Sequence, residues 1–356
     1  MTALTIDLDA IAENWRLLSA RHGAPTAAVV KADAYGLGAP RVGAHLLAAG
    51  VRHFFVAYPG EGAALRPHVP GAMIGILNGF FPDEAETYIA HDLAPVLGNA
   101  EEIAAWRGHA LQLGRTLPAL LHVDTGMNRL GLAPAELNRL ETHPEDLQNL
   151  DLRYVMTHLS NAEMAEDGRN LDQVRRFEEA CRALPAVPRS IANSSGIFLG
   201  AAFRSDLARP GAALYGINPT PGAENPMRPV MRLTARVLTL RNIQAGEPVG
   251  YNAIWTASRP TRVATVSAGY ADGYHRALSN QAHAAFDGAR LPLIGRVSMD
   301  LATFDATDHP SLSVGSEIEL IGPNVPPDEV ASWAGTNGYE ILTSLAIRAP
   351  RLYAPL

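Results

Sequence analysis

Ala28-Val29-Val30-Lys31-Ala32-Asp33-Ala34-Tyr35-Gly36-Leu37-Gly38 ends a short apolar run on a lysine, then places a tyrosine in a glycine-containing loop. An apolar run that stops on a charged residue reads as a buried strand reaching its end. The pattern recurs along the chain. Ala27–Val30, Phe54–Ala57, Met73–Leu77, Ala94–Leu97, Leu120–Val123, Tyr154–Thr157 and Arg189–Ala192 are strand candidates. Segments with helical spacing, such as Glu101–Leu113 and Asn170–Leu184, lie between several of them. Strand–helix alternation over about 200 residues predicts a parallel sheet, and this length suits a (β/α)8 barrel. A doubly wound open sheet is the competing arrangement, and pattern alone does not separate the two. In a barrel, catalytic groups sit at the C-terminal strand ends. A lysine there forms a Schiff base with an aldehyde if its surroundings free the amine. Gly36-Leu37-Gly38 is not a dinucleotide fingerprint, because Arg41 stands where the third glycine belongs.

Before this stretch, residues 2–8 alternate like a short strand, and Asp7 or Asp9 is placed to cap a helix beginning near Ala10. Beyond it the texture changes near residue 220, where Pro219, Pro221, Gly222, Pro226 and Pro229 form a linker-like cluster. β-rich runs follow at Leu233–Leu240, Thr261–Val266, Leu291–Ile294, Leu301–Phe304 and Glu317–Leu320. Asp287-Gly288 between apolar runs is a hairpin signal. Residues 226–356 therefore read as a mainly β domain with a helix near 338–347.

Composition narrows the function. The 356 residues are 47% hydrophobic and 18% charged, as in a globular enzyme with a large core. A formal net charge of -7 argues against a broad basic face for nucleic acid. The first residues lack a basic secretory n-region, and no apolar run approaches the roughly 20 residues that span a bilayer. A single cysteine, Cys181, forms no intrachain disulfide, which fits a reducing cytoplasm, and its neighbours Glu178, Glu179 and Arg182 read as a solvated helix.

Three further segments carry candidate chemistry. Asn193-Ser194-Ser195-Gly196 offers small polar side chains and backbone amides suited to an anion such as phosphate, or forms an ordinary loop. Arg209-Pro210-Gly211-Ala212-Ala213-Leu214-Tyr215-Gly216 sets an arginine beside small residues, which fits a buried ligand or a turn. His158 follows a strand candidate, and by itself reads as a satisfied core histidine. There is no His-Glu-x-x-His, no paired-cysteine motif and no P-loop, so no metal is expected.

Taken together and in order, these segments resemble the alanine racemases, which are fold-type III pyridoxal-phosphate enzymes. The resemblance runs from Thr5 to Tyr353. Val30–Gly36 is similar to the family's cofactor-lysine signature, and Asp124–Gly131 to a second motif. Thr157-His158, Asn193-Ser194, Arg209–Gly211, Gly269–Gly273 and Gly295–Asp300 match further ones. The resemblance implies an N-terminal (β/α)8 TIM-type barrel over 1–225, with the option that residues 2–8 pair with the second domain, and a mainly β domain over 226–356. It also implies a head-to-tail homodimer in which each site joins one subunit's barrel to the partner's β domain.

The implied activity is interconversion of L- and D-alanine by two bases acting on opposite faces of a pyridoxal 5'-phosphate external aldimine. Lys31 resembles the lysine that holds the cofactor and serves D-alanine. Tyr251, from the partner, resembles the opposite base and serves L-alanine. A free phenol is a weak base near neutral pH, so that role needs a stabilised phenolate. In the family the counterpart of His158 bonds the tyrosine, and that of Arg209 bonds the histidine and the cofactor's pyridine nitrogen. The resemblance places Tyr35, Ser194, Gly211, Ala212 and Tyr353 at the cofactor phosphate. It places Arg129 and Met299 at the substrate carboxylate, and Tyr270, Arg276, Arg296 and Glu163 at the entrance.

The chain departs from the pattern twice. His122 stands where many relatives have a carbamylated lysine that bonds the arginine matched by Arg129. Asn252 stands where relatives often have glycine after the tyrosine matched by Tyr251. Two alternatives accompany the reading: a broader amino-acid racemase acting also on serine, and a non-catalytic pyridoxal-phosphate-binding regulator. Relatives of the regulatory kind resemble the barrel alone. Two uses of the activity stay open, supply of D-alanine as a peptidoglycan precursor and its breakdown.

Overall fold

The computed structural model describes residues 2–345 and 348–356. Seven short strands form a parallel sheet in sequence order: β2 (Ala28–Val29), β3 (His53–Val56), β4 (Met73–Ile76), β5 (Leu93–Leu97), β6 (Leu117–His122), β7 (Leu150–Met156) and β8 (Arg189–Ser190). Every apolar run picked from the sequence overlaps one of them. The sheet closes through a stretch that is not an apolar run. Leu207 and Arg209 donate to Arg189 O and Ala192 O at 3.2 and 2.8 Å, while Ala27 and Val29 donate to Ala208 O and Pro210 O at 2.8 and 3.0 Å. Leu207–Pro210 is thus the eighth stave, in parallel register with both neighbours.

Side-chain alternation along a strand assigns the two faces. Ala28, Phe54, Ile74, Leu93, Leu97, Ala119, Leu121 and Val155 join the main core under the surrounding helices. Ala27, Val29, Phe55, Ala94, Val96, Leu120, Met156 and Leu207 form a separate cluster that fills the barrel. An eight-stranded barrel has room for side chains but not for a pore. At the β4 position in this layer, Gly75 makes the space: a Cβ there would lie 2.5 Å from the Phe55 ring.

The helices obey local signals. Asp7, rather than Asp9, caps Leu8–His22 by accepting from Ala10 N at 2.9 Å, and Gly23 ends that helix in the left-handed conformation. Asn99 caps Ala100–Leu113 by accepting from Glu102 N. The two helices expected at Glu101–Leu113 and Asn170–Leu184 are Ala100–Leu113 and Arg169–Ala180.

The second sheet is built on the long strand β9 (Met231–Ile243), which pairs with β12 (Thr261–Val266), β16 (Glu317–Ile321) and β1 (Ala3–Ile6). Thus the first strand of the chain lies in the C-terminal sheet, hydrogen-bonded also to β17 (Arg351–Tyr353), and is not a barrel stave. β10 (Pro248–Val249) and β11 (Trp255–Thr256) pair by themselves. β13 (His283–Phe286) and β14 (Ala289–Pro292) form the hairpin expected at Asp287-Gly288, whose φ values of 49° and 77° are those of a primed turn. β15 (Ala302–Asp305) pairs with β12.

The domain also holds a helix not anticipated from sequence, Pro327–Ala334. The helix expected near 338–347 is Gly338–Thr343. The end of that expected range, 346–347, lies outside the described residues. Among the described residues, no helix is long and apolar enough to cross a membrane.

Candidate active site

The same alternation that fills the barrel delivers the site. Continuing the inward phase two residues past the last filler gives Lys31 after Val29, His122 after Leu120, His158 after Met156 and Arg209 after Leu207. All four line one cavity of about 780 Å³ at the C-terminal strand ends. Tyr35, Arg129, Glu163, Ser194, Gly211 and Ala212 line it too. So do Asn337 and Tyr339 from the second domain of the same chain, which sequence reading missed.

Lys31 is the only lysine in the sequence; the other 28 of its 29 Lys and Arg residues are arginine. Burial, then the charge of Arg129, pulls the amine below the ordinary lysine range, while Glu61 opposes them. The amine is thereby biased toward its neutral, nucleophilic form. The chain leaves Lys31 in an unusual way. Ala32, Asp33, Ala34 and Tyr35 have φ of 51°, 54°, 54° and 55°, a left-handed turn made without glycine. Each such residue costs about 1–2 kcal/mol, so the turn persists only because its surroundings over-determine it.

Several contacts hold the turn. Asp33 Oδ1 accepts from Ala39 N at 2.7 Å, Arg351 donates to Gly36 O at 3.0 and 2.8 Å, and Tyr353 Oη donates to Leu37 O at 3.2 Å. Tyr353 thus touches the lysine loop, although it is not among the residues lining the cavity.

Arg209 is 4% exposed and donates to Ser190 Oγ and to the Thr157 carbonyl. Burial lowers its guanidinium to about 9, which keeps it cationic at neutral pH. His158 is pushed down to about 3 by burial, then by Arg209 and Arg129. His122 is pushed down to about 4 by burial, then by Arg209, with Asp124 opposing. Both imidazoles are neutral at physiological pH, so each has one donor and one acceptor nitrogen. No hydrogen bond joins His122 to Arg129 among the described residues. The rim loops carrying His158 and Arg129 are tied from behind by buried Gln173. Its Nε2 donates to Thr125 Oγ1 and to His158 O, both at 3.0 Å.

Across the cavity, Ser194 Oγ accepts from Gly211 N and Ala213 N at 3.1 and 3.2 Å. The Tyr35 ring lies 4.7 Å from that of Tyr215, whose hydroxyl donates to Val29 O at 2.9 Å. Small residues are required here. A Cβ on Gly211 would stand 2.4 Å from Tyr35 Oη. Hydroxyls and backbone amides with a buried guanidinium beside them suit a phosphate-bearing, electron-rich ligand. A lysine amine facing them suits an aldehyde. The residues present fit pyridoxal phosphate.

We expect Gly211→Ala to displace Tyr35 Oη and to weaken pyridoxal-phosphate retention about 3- to 10-fold, the value of one lost hydrogen bond. Fluorescence titration of the protein with the cofactor measures it, and wild-type affinity would show that Tyr35 does not contact the phosphate.

The remaining expected site residues do not join this cavity. Tyr251, Tyr270 and Met299 are 67%, 43% and 54% exposed on the second domain. Arg276 is exposed and Arg296 half-buried on that domain. The second domain nevertheless builds its loops with care. Asp272 accepts from Gly269 N at 2.9 Å and from Arg348 Nε and Nη2 at 2.7 Å each, while Arg348 also reaches Asp300 at 2.8 Å. The loops of Tyr270 and Met299 are thus fastened together. Asn252 has φ of 61°, the left-handed conformation that glycine adopts freely and asparagine tolerates best among the others. The departure from glycine is therefore accommodated.

A closed parallel barrel whose first strand ends on a lysine, in one cavity with a buried arginine, Tyr35, Ser194 and Gly211 and followed by a β domain, fits the class of barrel enzymes that carry a phosphate-bearing cofactor. Comparison with known proteins agrees. The profile of "Alanine racemase, N-terminal domain" matches residues 6–219, and that of "Alanine racemase, C-terminal domain" matches residues 230–353. The alanine racemase of Acidiphilium cryptum is 53% identical over 98% of both chains. The crystal structure of alanine racemase from Bartonella henselae with covalently bound pyridoxal phosphate superposes with a TM-score of 0.95, at 40% identity over 99% of each chain. Biosynthetic alanine racemase from Pseudomonas aeruginosa superposes with a TM-score of 0.93, at 35% identity over 99% of each chain. The chain belongs to the alanine racemase family.

Proposed function

We propose that this protein is a pyridoxal-phosphate-dependent alanine racemase that interconverts L- and D-alanine with two bases, Lys31 and Tyr251, the latter supplied by the partner subunit of a homodimer. The observation that carries the reading is the convergence of the chain's only lysine, the buried Arg209 and the Tyr35–Ser194–Gly211 cradle on one cavity.

Lys31 holds the cofactor through its amine. Tyr35, Ser194, Gly211 and Ala212 hold the phosphate, with Tyr353 bracing the loop that carries Tyr35. Bound pyridoxal phosphate withdraws electrons from the substrate α-carbon and so loosens its proton. Arg209, which stays cationic, would leave a pyridine nitrogen held beside it unprotonated and so would limit the electron sink. Arg129, lining the cavity, orients the alanine carboxylate by a charge-assisted pair.

When released, the Lys31 amine exchanges the α-proton on one face. Racemisation needs a second group on the opposite face. No tyrosine placed in this chain's own cavity fills that role in the family pattern, whereas Tyr251 stands exposed on the second domain. A head-to-tail dimer of a barrel within 1–225 and a β domain over 226–356 that also takes in the strand Ala3–Ile6 brings Tyr251, Tyr270 and Met299 onto the partner's cavity. Neutral His158, kept from protonating by burial and by the charge of nearby Arg209, is a donor able to stabilise a phenolate there. Tyr251, Tyr270 and Tyr353 narrow the approach to favour a methyl side chain, and Arg276, Arg296 and Glu163 line the way in. The test is whether the cofactor-loaded protein carries L-alanine and D-alanine alike to a near-equal mixture of the two.

A further inference from the structure

Glu61 occupies the third position of the helix Pro59–Leu65. Its Oε2 accepts from Ala57 N and Tyr58 N at 2.7 and 3.3 Å. That is a complete use of a carboxylate at a helix start, where it satisfies orphan amides. Its other oxygen, Oε1, leaves the helix and accepts from Ala32 N at 2.6 Å, 29 residues back in the sequence. Capping the helix does not require that second bond.

The amide it takes is that of the Lys31–Ala32 peptide, where the left-handed turn begins. The far end of the turn is held by Ala39 N, Arg351 and Tyr353. Among the described residues, Glu61 is the only side chain that accepts from the backbone of residues 31–34. The start of the turn is otherwise held by backbone alone, through Val30 N to Phe55 O at 2.8 Å and Ala34 N to Val30 O at 2.9 Å, neither of which fixes the Lys31–Ala32 amide.

The charge of Glu61 also counts. The ionisable groups that line the cavity with Lys31 are Arg129 from the loop after β6, His122 and His158 at the ends of β6 and β7, Arg209 on the eighth stave, Tyr35, Glu163, and Tyr339 and Glu340 from the second domain, while Glu61 acts on it from the helix start after β3. Arg129 and burial disfavour a protonated Lys31, and Glu61 favours it.

We propose that Glu61 is a positioning residue for Lys31. Its carboxylate holds the Lys31–Ala32 peptide in the orientation that starts the left-handed turn and aims the amine into the cavity, and it balances the charge of Arg129 beside that amine. The proposal rests on the reading of Lys31 as the amine that holds the cofactor and exchanges the proton.

The test compares full-length wild type, Glu61→Gln, Glu61→Asp and the exposed control Glu101→Gln. In the cofactor-loaded protein, Glu61→Gln lowers turnover of D-alanine per bound cofactor about 10-fold or more, the scale of a misplaced proton-transfer group, while KM changes little. Removing the carboxylate removes the influence that raises Lys31, so the acid limb of the pH–rate profile moves to lower pH. The second readout needs no activity. In cofactor-stripped full chain, arylation of the single lysine is followed against pH by peptide mass spectrometry, and its midpoint moves in the same direction. Glu61→Asp keeps the charge and shortens the reach, so it restores the labelling midpoint but not the turnover. If Glu61→Gln does not fold, Glu61→Asp still tests the reach.

The proposal is overturned if both Glu61 variants turn over within twofold of wild type and the labelling midpoint of Glu61→Gln coincides with wild type. Wild type is assayed in parallel with both alanine enantiomers. Its failure to racemise would strike the proposed function, whereas wild-type behaviour of the variants alone would strike only the role of Glu61.

Discussion

Lys31→Ala abolishes racemisation and leaves a protein that gains no covalent cofactor on borohydride reduction. The effect is large because two losses coincide. The amine is the attachment point for the aldehyde, and it is also one of the two proton-exchanging groups. Removing a general base alone costs about 10²–10⁴ in rate, and losing covalent attachment adds to it. No other side chain substitutes, because the sequence contains no second lysine. Lys31→Arg behaves the same way, since a guanidinium keeps the charge but offers no free amine. Intact-mass spectrometry after borohydride treatment reads the outcome: wild type gains one cofactor mass, found on the peptide containing Lys31, and both variants gain none. A fixed cofactor in Lys31→Ala would refute the assignment.

Tyr251→Phe retains the cofactor's visible absorbance and loses about 10²–10⁴ of the racemisation rate, the usual span for a removed acid–base group. Its neighbourhood makes the prediction sharper. Tyr251 is 67% exposed, on a different domain from the cavity that holds Lys31. Its role as a base therefore requires a partner, in an isologous dimer where each site borrows from the other chain. Mixing Lys31→Ala with Tyr251→Phe after subunit exchange then regenerates one intact site per hybrid dimer. With random exchange half the dimers are hybrids, so about a quarter of wild-type activity returns. No recovery at all, with exchange demonstrated, would place both bases in one chain or remove Tyr251 from the chemistry.

Much of the barrel is legible in the sequence because buried parallel strands are short apolar runs, and all seven runs lie on strands of the sheet. The closing stave is not. Leu207–Pro210 is flanked by Asp206 and carries Arg209 and Pro210, so no run marks it, and its pairing depends on neighbours far away in the chain. The position of β1 is a similar case. Ala3–Ile6 alternates like any strand, and only its registry with Met231–Thr234 and Arg351–Tyr353 assigns it to the second sheet.

The site is legible through motifs, with Lys31 and His158 at strand ends and Arg209 in a segment of small residues, but their roles come from the family resemblance. The inward phase shared by Val29–Lys31, Leu120–His122, Met156–His158 and Leu207–Arg209 is a physical signal that becomes readable once the barrel filling is known. Glu61 and Tyr339 were missed for a plainer reason. Tyr58-Pro59-Gly60-Glu61 announces a helix start, and nothing local announces that its carboxylate reaches Ala32 or that Gly338–Thr343 walls the cavity.

The most direct measurement is chiral analysis of the products formed by purified, cofactor-loaded protein from L-alanine, D-alanine, L-serine and L-lysine, each supplied alone. Conversion of both alanine enantiomers toward a near-equal mixture, with little change in lysine, is the predicted result, and the serine arm reports how far the specificity extends. Firm cofactor binding without racemisation of either alanine enantiomer would contradict it and point to a non-catalytic pyridoxal-phosphate-binding role, with His122 and Asn252 the first residues to revert.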